Sequence, residues 1–429
     1  MAARRGSRHH QQARRAVVDA LKVRNAADVE EVVRSAIANE QPLDVIGHGS
    51  KRGIGQVTAT NAVLDLSALS AVVAYEPNEL IITAQSGAPL ADLLSLIDSK
   101  SQQFAFDPMD TGPLLGTTGR GTLGGMIAAG LAGSRRVRAG GVRDHLLGAH
   151  AVSGFGESFK TGGKVVKNVT GYDLCKLLAG SWGTLAVMTE ATLKVMPRPE
   201  AERTLVLRGL DDPRANLAMT AALGSPFDVS GAAHLPASSL RPEVEGLGAV
   251  GSPREAVTLV RLEGITASAA HRAGSLTKLL APFGAAEIIA DDASAALWSA
   301  VRDVLPFAAH GQLGAWTVWR IVCPPVSGGA LGQALARQTG GEVIYDWGGG
   351  LIWAALPPAA DASAGVVRKL AGAAGGHATL LRAFDEVRHA VDVFPPQPPG
   401  VAALEERVRV SFDPKAILNR GRLRRSVAS

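Results

Sequence analysis

Three glycine-rich stretches hold the residues of this 429-residue chain whose types and spacing suit chemistry. The first, Gly47-His48-Gly49-Ser50-Lys51-Arg52-Gly53, follows an expected strand over Leu43–Ile46. A turn of this composition aims several backbone N–H groups at one anion, the geometry that cradles phosphate. Its spacing is that of neither a Walker A loop nor a Rossmann fingerprint, and a glycine-rich hairpin turn is the competing reading. The second stretch, Gly112 to Gly141, contains Gly121-Thr122-Leu123-Gly124-Gly125 ahead of a helix over Met126–Leu131. A helix start bare of large side chains is a further anion or ring-edge site. The third lies within Gly162–Pro197. There a polar turn of Lys167, Asn168, Thr170 and Gly171 opens a helix on Tyr172–Ala179, and Gly180 and Gly183 precede a β-branched strand from Thr184. Taken singly, each stretch admits either a ligand or tight helix–strand packing in the space the glycines leave. Together they suit a long, flat, phosphate-bearing cofactor.

Other chemistries find little footing. Cys175 and Cys323 are too few for a disulfide framework or an iron–sulfur cluster, and Cys175 reads as core. The ten histidines show no His-x-His and no pair at helical ligand spacing, so no metal site is expected. No Gly-x-Ser-x-Gly elbow supports hydrolysis.

The elements that must position the glycines follow from periodicity. Asn25 caps a helix with Val29, Val32, Val33 and Ile37 on one face; strands follow at Leu43–Ile46, Val63–Leu66, Val72–Tyr75 and Leu80–Ala84. Pro89 starts a helix through Asp98, and Arg143-Asp144 precedes a strand over Leu146–Val152. Residues 201–395 change rhythm. Strands are expected at Thr204–Leu207, Asp228–Leu235, Thr258–Glu263, Trp316–Val322, Glu342–Trp347 and Leu351–Ala355, with helices at Ala267–Leu280 and about Ala293–Val301. That alternation predicts an antiparallel sheet backed by helices, and the fold class is α+β. Pro395-Pro396-Gln397-Pro398-Pro399 is a stiff linker into the C-terminal segment.

Charge divides unevenly along the chain. Residues 1–24 hold seven basic side chains against Asp19, and residues 403–429 hold seven against three, so the +5 total leaves the body at −5. The basic ends are not a nucleic-acid face, aromatic residues being only 4%. No apolar run reaches membrane-spanning length, and nothing resembles a secretory signal. A cytoplasmic protein is expected, organised as a basic disordered tail (1–24), a cofactor domain (25–200), a second α+β domain (201–395) and a returning C-terminal segment (396–429).

The order GHGSKRG, GTLGGMIAAGLAGS, RDHLLG and KNVTGYDLCKLLAGSWGTLAVMTEATLKVMP resembles the FAD-binding domain of the vanillyl-alcohol-oxidase (PCMH-type) flavoproteins. Trp319-Arg320, Asp346-Trp347-Gly348-Gly349, Gly375-Gly376-His377 and Leu418-Asn419-Arg420-Gly421-Arg422 are similar to the FAD subunits of bacterial glycolate oxidases within that family. The resemblance runs from about Leu43 to Leu423. It implies a two-part FAD domain under an α+β cap, with FAD held non-covalently because His48 stands one step from the attachment position of some relatives. Gly47, Gly49, Ser50, Lys51 and Gly53 are implied at the diphosphate, with His48 and Arg52 as further cofactor-binding residues of the same loop. Thr122, Gly124, Gly125 and Ser134 are implied along the flavin and its ribityl chain, Gly183, Thr184 and Val187 at the adenosine, Asn419 and Arg422 as the closing residues, and Leu123, Arg143 and Asp144 as further cofactor-binding residues. Ile46 and Arg420 depart from the family pattern, which often has arginine and proline at those places.

The implied reaction is oxidation of glycolate or another short 2-hydroxy acid. It needs a base for the hydroxyl proton and a cation for the carboxylate. His377, Arg320 and Arg382 are the candidates, with Asp346 to orient the histidine; a turn histidine and a strand-bounding aspartate are the plainer readings. The implied partners are a GlcD-like FAD subunit and a GlcF-like iron–sulfur subunit, with membrane contact only through them. A self-sufficient D-2-hydroxy-acid dehydrogenase and a non-catalytic assembly subunit are the alternatives.

Overall fold

The computed structural model describes residues 20–58, 60, 62–163, 172–250 and 255–424. The polar turn at Lys167, Asn168, Thr170 and Gly171 lies outside them.

The chain first builds two small sheets. A parallel sheet orders Ala20–Lys22, Ala62–Asp65 and Leu43–Ile46. The helix Ala26–Ala38 packs on it through Val29, Val33 and Ala36, and Asn25 caps that helix by accepting the Asp28 N–H at 2.9 Å. The strand Ala20–Lys22, paired with Ala62–Asp65, and the buried Val23 make residues 20–24 part of the fold, where the sequence suggested only tail. Tail composition is set by charge, whereas Val23 is held by one side chain in the core and by its N–H to the Asp65 carbonyl.

The second sheet is antiparallel, in the order Val72–Glu76, Ile81–Gln85, Ala186–Lys194, Leu146–Ser153, Ser158–Gly162. The helix Leu90–Asp98 presents Leu90, Leu93 and Ile97 to this core at positions i, i+3 and i+7. The helix expected over Tyr172–Ala179 is the single turn Cys175–Leu178, and the following strand starts at Ala186, because Ser181–Thr184 close a hydrogen-bonded turn between them.

An eight-stranded antiparallel sheet follows. Its order is Ala286–Ala290, Ala201–Arg208, Val257–Gly264, Val229–Leu235, Glu342–Asp346, Leu351–Leu356, Thr317–Val322, His377–Arg382. Strand alternation sends Leu205 and Leu207 to one face and Val206 to the other. Helices Asp212–Leu223, Thr266–Leu280, Gly328–Thr339 and Ala364–Ala373 cover the outer face. The inner face, with Leu235, Leu259, Val318, Ile344, Trp353 and Leu381, packs on Ile54, Met109, Leu114 and Trp182 from the first half of the chain. Both faces are buried, so Val229–Leu235 is buried at every residue.

The C-terminus returns after the helix Pro399–Phe412. The Leu43 N–H donates to Ile417 O, the Asn419 N–H donates to Leu43 O, and Leu418 bridges Leu43 in parallel.

Candidate active site

Two confluent clefts run between the loop after Leu43–Ile46, the start of the helix Leu123–Ala129 and the turn at Trp182. Val45, Gly47, Thr122, Gly125, Trp182 and Asn419 line both. One cleft adds His48, Gly49, Ser50, Lys51, Arg52 and Arg422; the other adds Ser86, Gly124, Gly183 and Val187.

The first cleft is built for negative charge. The N–H groups of Gly47, His48, Gly49, Ser50 and Lys51 donate to no protein acceptor among the described residues. Arg422 reaches the loop from the C-terminus, donating from Nη2 to Lys51 O at 2.8 Å, while its buried Nε has no partner among the described residues. Burial lowers the pKa of Arg422, with Arg388 and Arg52 acting in the same sense against Asp44. Burial also lowers Lys51, with Asp110 opposing. Bare amides beside two desolvated cations form an anion site, because each group recovers on binding the interactions that folding removed.

The second cleft is more enclosed and more apolar. A Cβ on Gly47 would collide with Thr122, and one on Gly183, whose φ is +69°, would stand 2.7 Å from Asn419 Nδ2. The walls therefore approach each other only because glycine occupies these positions. Asn419, itself left-handed at φ +45°, fastens the wall. Its Oδ1 accepts the Val45 N–H at 2.7 Å, and its Nδ2 donates to Trp182 O at 2.8 Å. Ser86 Oγ is buried without a partner among the described residues. An anion-binding segment continuing into an apolar one fits a dinucleotide.

Several sequence candidates stand elsewhere. Leu123 belongs to the core under the five-stranded sheet, and Gly53 lines neither cleft. Thr184 donates to Ser181 O at 2.7 Å and closes the turn. Arg143 and Asp144 are exposed; Asp144 Oδ2 accepts the Gly141 N–H and caps the short helix Val142–His145. Trp182 and Ser86 line the clefts unforeseen. Trp182 has a signal, its place between Gly180 and Gly183 in a left-handed turn at φ +55°, whereas Ser86 has none.

A second cluster lies where the inner face of the large sheet meets the first half. Ser134 donates to Asp346 Oδ2 at 2.6 Å across 212 positions of sequence, so its hydroxyl is engaged by the cap, and Ser134 lines neither cleft. Asp346 Oδ1 accepts the Trp347 N–H at 2.7 Å. Burial pushes Asp346 up to about 7, against those hydrogen bonds. In the strand ladder Arg320 faces Thr379 and Val322 faces His377, which places Arg320 and His377 on one face. Burial, and then Arg136, push Arg320 down to about 10, with Asp346 opposing. His377 is exposed and opens the strand His377–Arg382, its pKa lowered by partial burial and by Arg320. Thus Asp346, Arg320 and His377 share a face. Arg382 does not join them. It donates to the carbonyls of Trp316, Leu114, Phe307 and Leu313, which uses its guanidinium as a strut.

Similarity to known proteins follows the same division. A family model described as an FAD binding domain matches residues 20–162, and one described as the C-terminal domain of FAD linked oxidases matches residues 218–337. Glycolate oxidase subunit GlcE of Escherichia coli is 30% identical over 401 residues, covering 92% of this chain and 95% of that protein. Glycolate oxidase subunit GlcD of Bacillus subtilis is 30% identical over 186 residues, 43% of this chain and 38% of that one. D-lactate dehydrogenase of Anaerostipes hadrus is 32% identical over 186 residues, 42% of this chain and 38% of the other. Solved structures of alkyldihydroxyacetonephosphate synthase share the fold, one with a TM-score of 0.66 at 16% identity, covering 93% of this chain and 75% of that one. Anion cradle, apolar channel and near-full-length similarity converge: the chain belongs to the PCMH-type FAD-binding family of FAD-linked oxidoreductases, and FAD is its cofactor.

Proposed function

We propose that this chain is the FAD-binding subunit of a glycolate-oxidising complex, acting on glycolate or a related short 2-hydroxy acid. The similarity to glycolate oxidase subunit GlcE over 92% of the chain carries the reading. Bound FAD supplies a hydride acceptor for the carbon that bears the hydroxyl. The loop amides, Lys51 and Arg422 hold its diphosphate, and Gly47, Gly183 and Asn419 set the width of its channel. On the cap face, Arg320 holds the substrate carboxylate as a desolvated guanidinium without a carboxylate of its own within ion-pair distance among the described residues. His377, kept neutral by partial burial and by Arg320, accepts the hydroxyl proton. Asp346 orients this face through Ser134 and the Trp347 amide rather than through the histidine.

Reoxidation needs a further carrier, and a GlcD-like FAD subunit with a GlcF-like iron–sulfur subunit fits that requirement. Among the described residues no helix is long and apolar enough to cross a membrane, so membrane contact is assigned to those partners. The residue division follows the same plan: a cofactor part over 25–200 closed by 396–429, and a cap over 201–395.

The deciding measurement is the anaerobic flavin spectrum on adding glycolate, with this chain alone and with both partners. Bleaching that needs the partners supports the subunit reading. Bleaching by the chain alone supports a self-sufficient dehydrogenase, for which the shared face of Arg320, His377 and Asp346 speaks. Flavin that never reduces in either sample defeats both and leaves an assembly role.

A further inference from the structure

Two guanidinium groups, one from each half of the molecule, converge on the ring of Trp347. Arg136, from the short helix Arg136–Ala139, and Arg320, from the sheet, each place their guanidinium carbon 5.1 Å from the centroid of that ring. The ring cannot drift. Its Nε1–H donates to Gly133 O at 3.0 Å, and its backbone N–H is taken by Asp346.

Neither guanidinium has a hydrogen bond or a carboxylate within 4 Å among the described residues. The neighbouring arginines all do. Arg135 pairs with Glu263 at 2.7 Å, Arg302 with Asp303 at 2.6 Å and Asp107 at 3.2 Å, and Arg261 with Glu263 at 3.5 Å. Asp346, the acid closest in sequence to the ring, has both oxygens engaged by Ser134 and the Trp347 amide. Two like charges held near one ring repel each other unless an anion joins them, and Arg136 adds to burial, the larger cause, in lowering the pKa of Arg320. Arg136 and His377 are exposed and Arg320 is half-buried, so the pair opens to solvent at the junction of the halves.

We propose that Arg136 and Arg320 together form a composite anion site on Trp347 that takes a small carboxylate, with Arg136 the determinant supplied by the opposite half. The inference rests on the reading of a 2-hydroxy-acid site and assigns it a second cation. A lone arginine would serve a carboxylate anywhere on the cap; a pair divided between the halves serves one only when the halves are closed on each other.

The test is calorimetric titration of the FAD-loaded protein with oxalate, an unreactive small carboxylate, in low salt. Losing one charge-assisted hydrogen-bonding group should weaken binding about tenfold in Arg136→Gln and again in Arg320→Gln. Arg136→Lys should recover part of the loss, and flavin content should stay that of the parent protein in all three. Equal oxalate affinity in Arg136→Gln and the parent overturns the proposal, whatever Arg320→Gln does, as does failure of the parent to bind oxalate. The two readings fail separately. Glycolate that bleaches the flavin equally in Arg136→Gln and the parent removes only the composite site. Arginine-dependent oxalate binding without flavin reduction in any subunit combination removes only the hydroxy-acid oxidation.

Discussion

Asp346 is the residue whose environment makes the sharpest demand. It is 2% exposed, and its pKa stands at about 7 against an ordinary 3.8 because burial disfavours the carboxylate. Below about pH 4 the folded and unfolded chains both hold this proton, and the group leaves stability unchanged with pH. Between about 4 and 7 the folded chain keeps a proton that the unfolded chain has lost. Stability therefore falls as pH rises through that window and levels off above it. Asp346→Asn cannot ionise and keeps a hydrogen-bonding group beside Ser134 and the Trp347 amide. We expect the difference in stability between the parent and this variant to shift by a few kcal/mol in favour of the variant from pH 5 to pH 8, measured by urea unfolding. Parallel pH profiles would show that Asp346 titrates normally. Gly47 makes a different demand, being backed by Thr122 with no room for a methyl group. Gly47→Ala should displace the loop from Thr122 and lower flavin affinity at least tenfold, the scale of one lost phosphate hydrogen bond. A parent-like ratio of flavin to protein in the purified variant would show that the loop is only a turn.

At the scale of elements, Arg382 ends its strand by gathering four carbonyls from the loops at Leu114, Phe307, Leu313 and Trp316. Burial pushes its pKa down to about 10, still charged at neutral pH. Arg382→Met keeps much of the apolar stem and leaves those carbonyls without their donor. We expect a loss of about 3 kcal/mol in urea unfolding with an unchanged flavin spectrum in the folded protein. A loss of flavin reduction at full stability would return Arg382 to the substrate. That strut was beyond sequence reading, since the arginine's type suits a carboxylate clamp equally well and its partners are main-chain atoms. Much else was legible. Asn25 marked its helix by the capping side chain, and Leu43–Ile46 is the observed strand because Leu43, Val45 and Ile46 precede a glycine turn. The strand Ala286–Ala290 was missed, its Ala-Glu-Ile-Ile-Ala pattern lying at the exposed edge of the sheet with no clean alternation. The helix Asp212–Leu223 was missed although Asp211 caps it, because its buried face is Ala215, Asn216, Ala218, Met219 and Ala222 rather than large apolar residues. Within the site, the glycine loop announced itself by composition. The meeting of Ser134 with Asp346 and of Gly133 with Trp347 joins residues more than 200 apart and left no local pattern to read.

At the scale of the whole molecule, the junction of the halves is both apolar and ionic. Ile54, Met109, Leu114 and Trp182 share one core with the inner face of the large sheet. Beside that core, Asp107 lies within 3.9 Å of Arg135, Arg261 and Arg302, and Arg135 also reaches Glu263 and Glu202. Burial alone would raise Asp107, yet the three arginines more than offset it and hold the carboxyl below its usual range. A buried pair is weak grounds for net stability over an apolar replacement, but removing one member strands its partners in low dielectric. Asp107→Asn removes the central charge from three arginines while preserving shape. We expect it to cost about 3–5 kcal/mol and to lower the unfolding temperature of the entire chain, because neither half can keep its junction face buried without the other. The parent should unfold in calorimetry as one transition, and the variant should move that transition without splitting it. Two separated transitions in the parent, or a variant in which only one of them moves, would mean that the halves are independent folding units. The composite site on Trp347 would then have to be assembled by FAD or by a partner instead of by this junction.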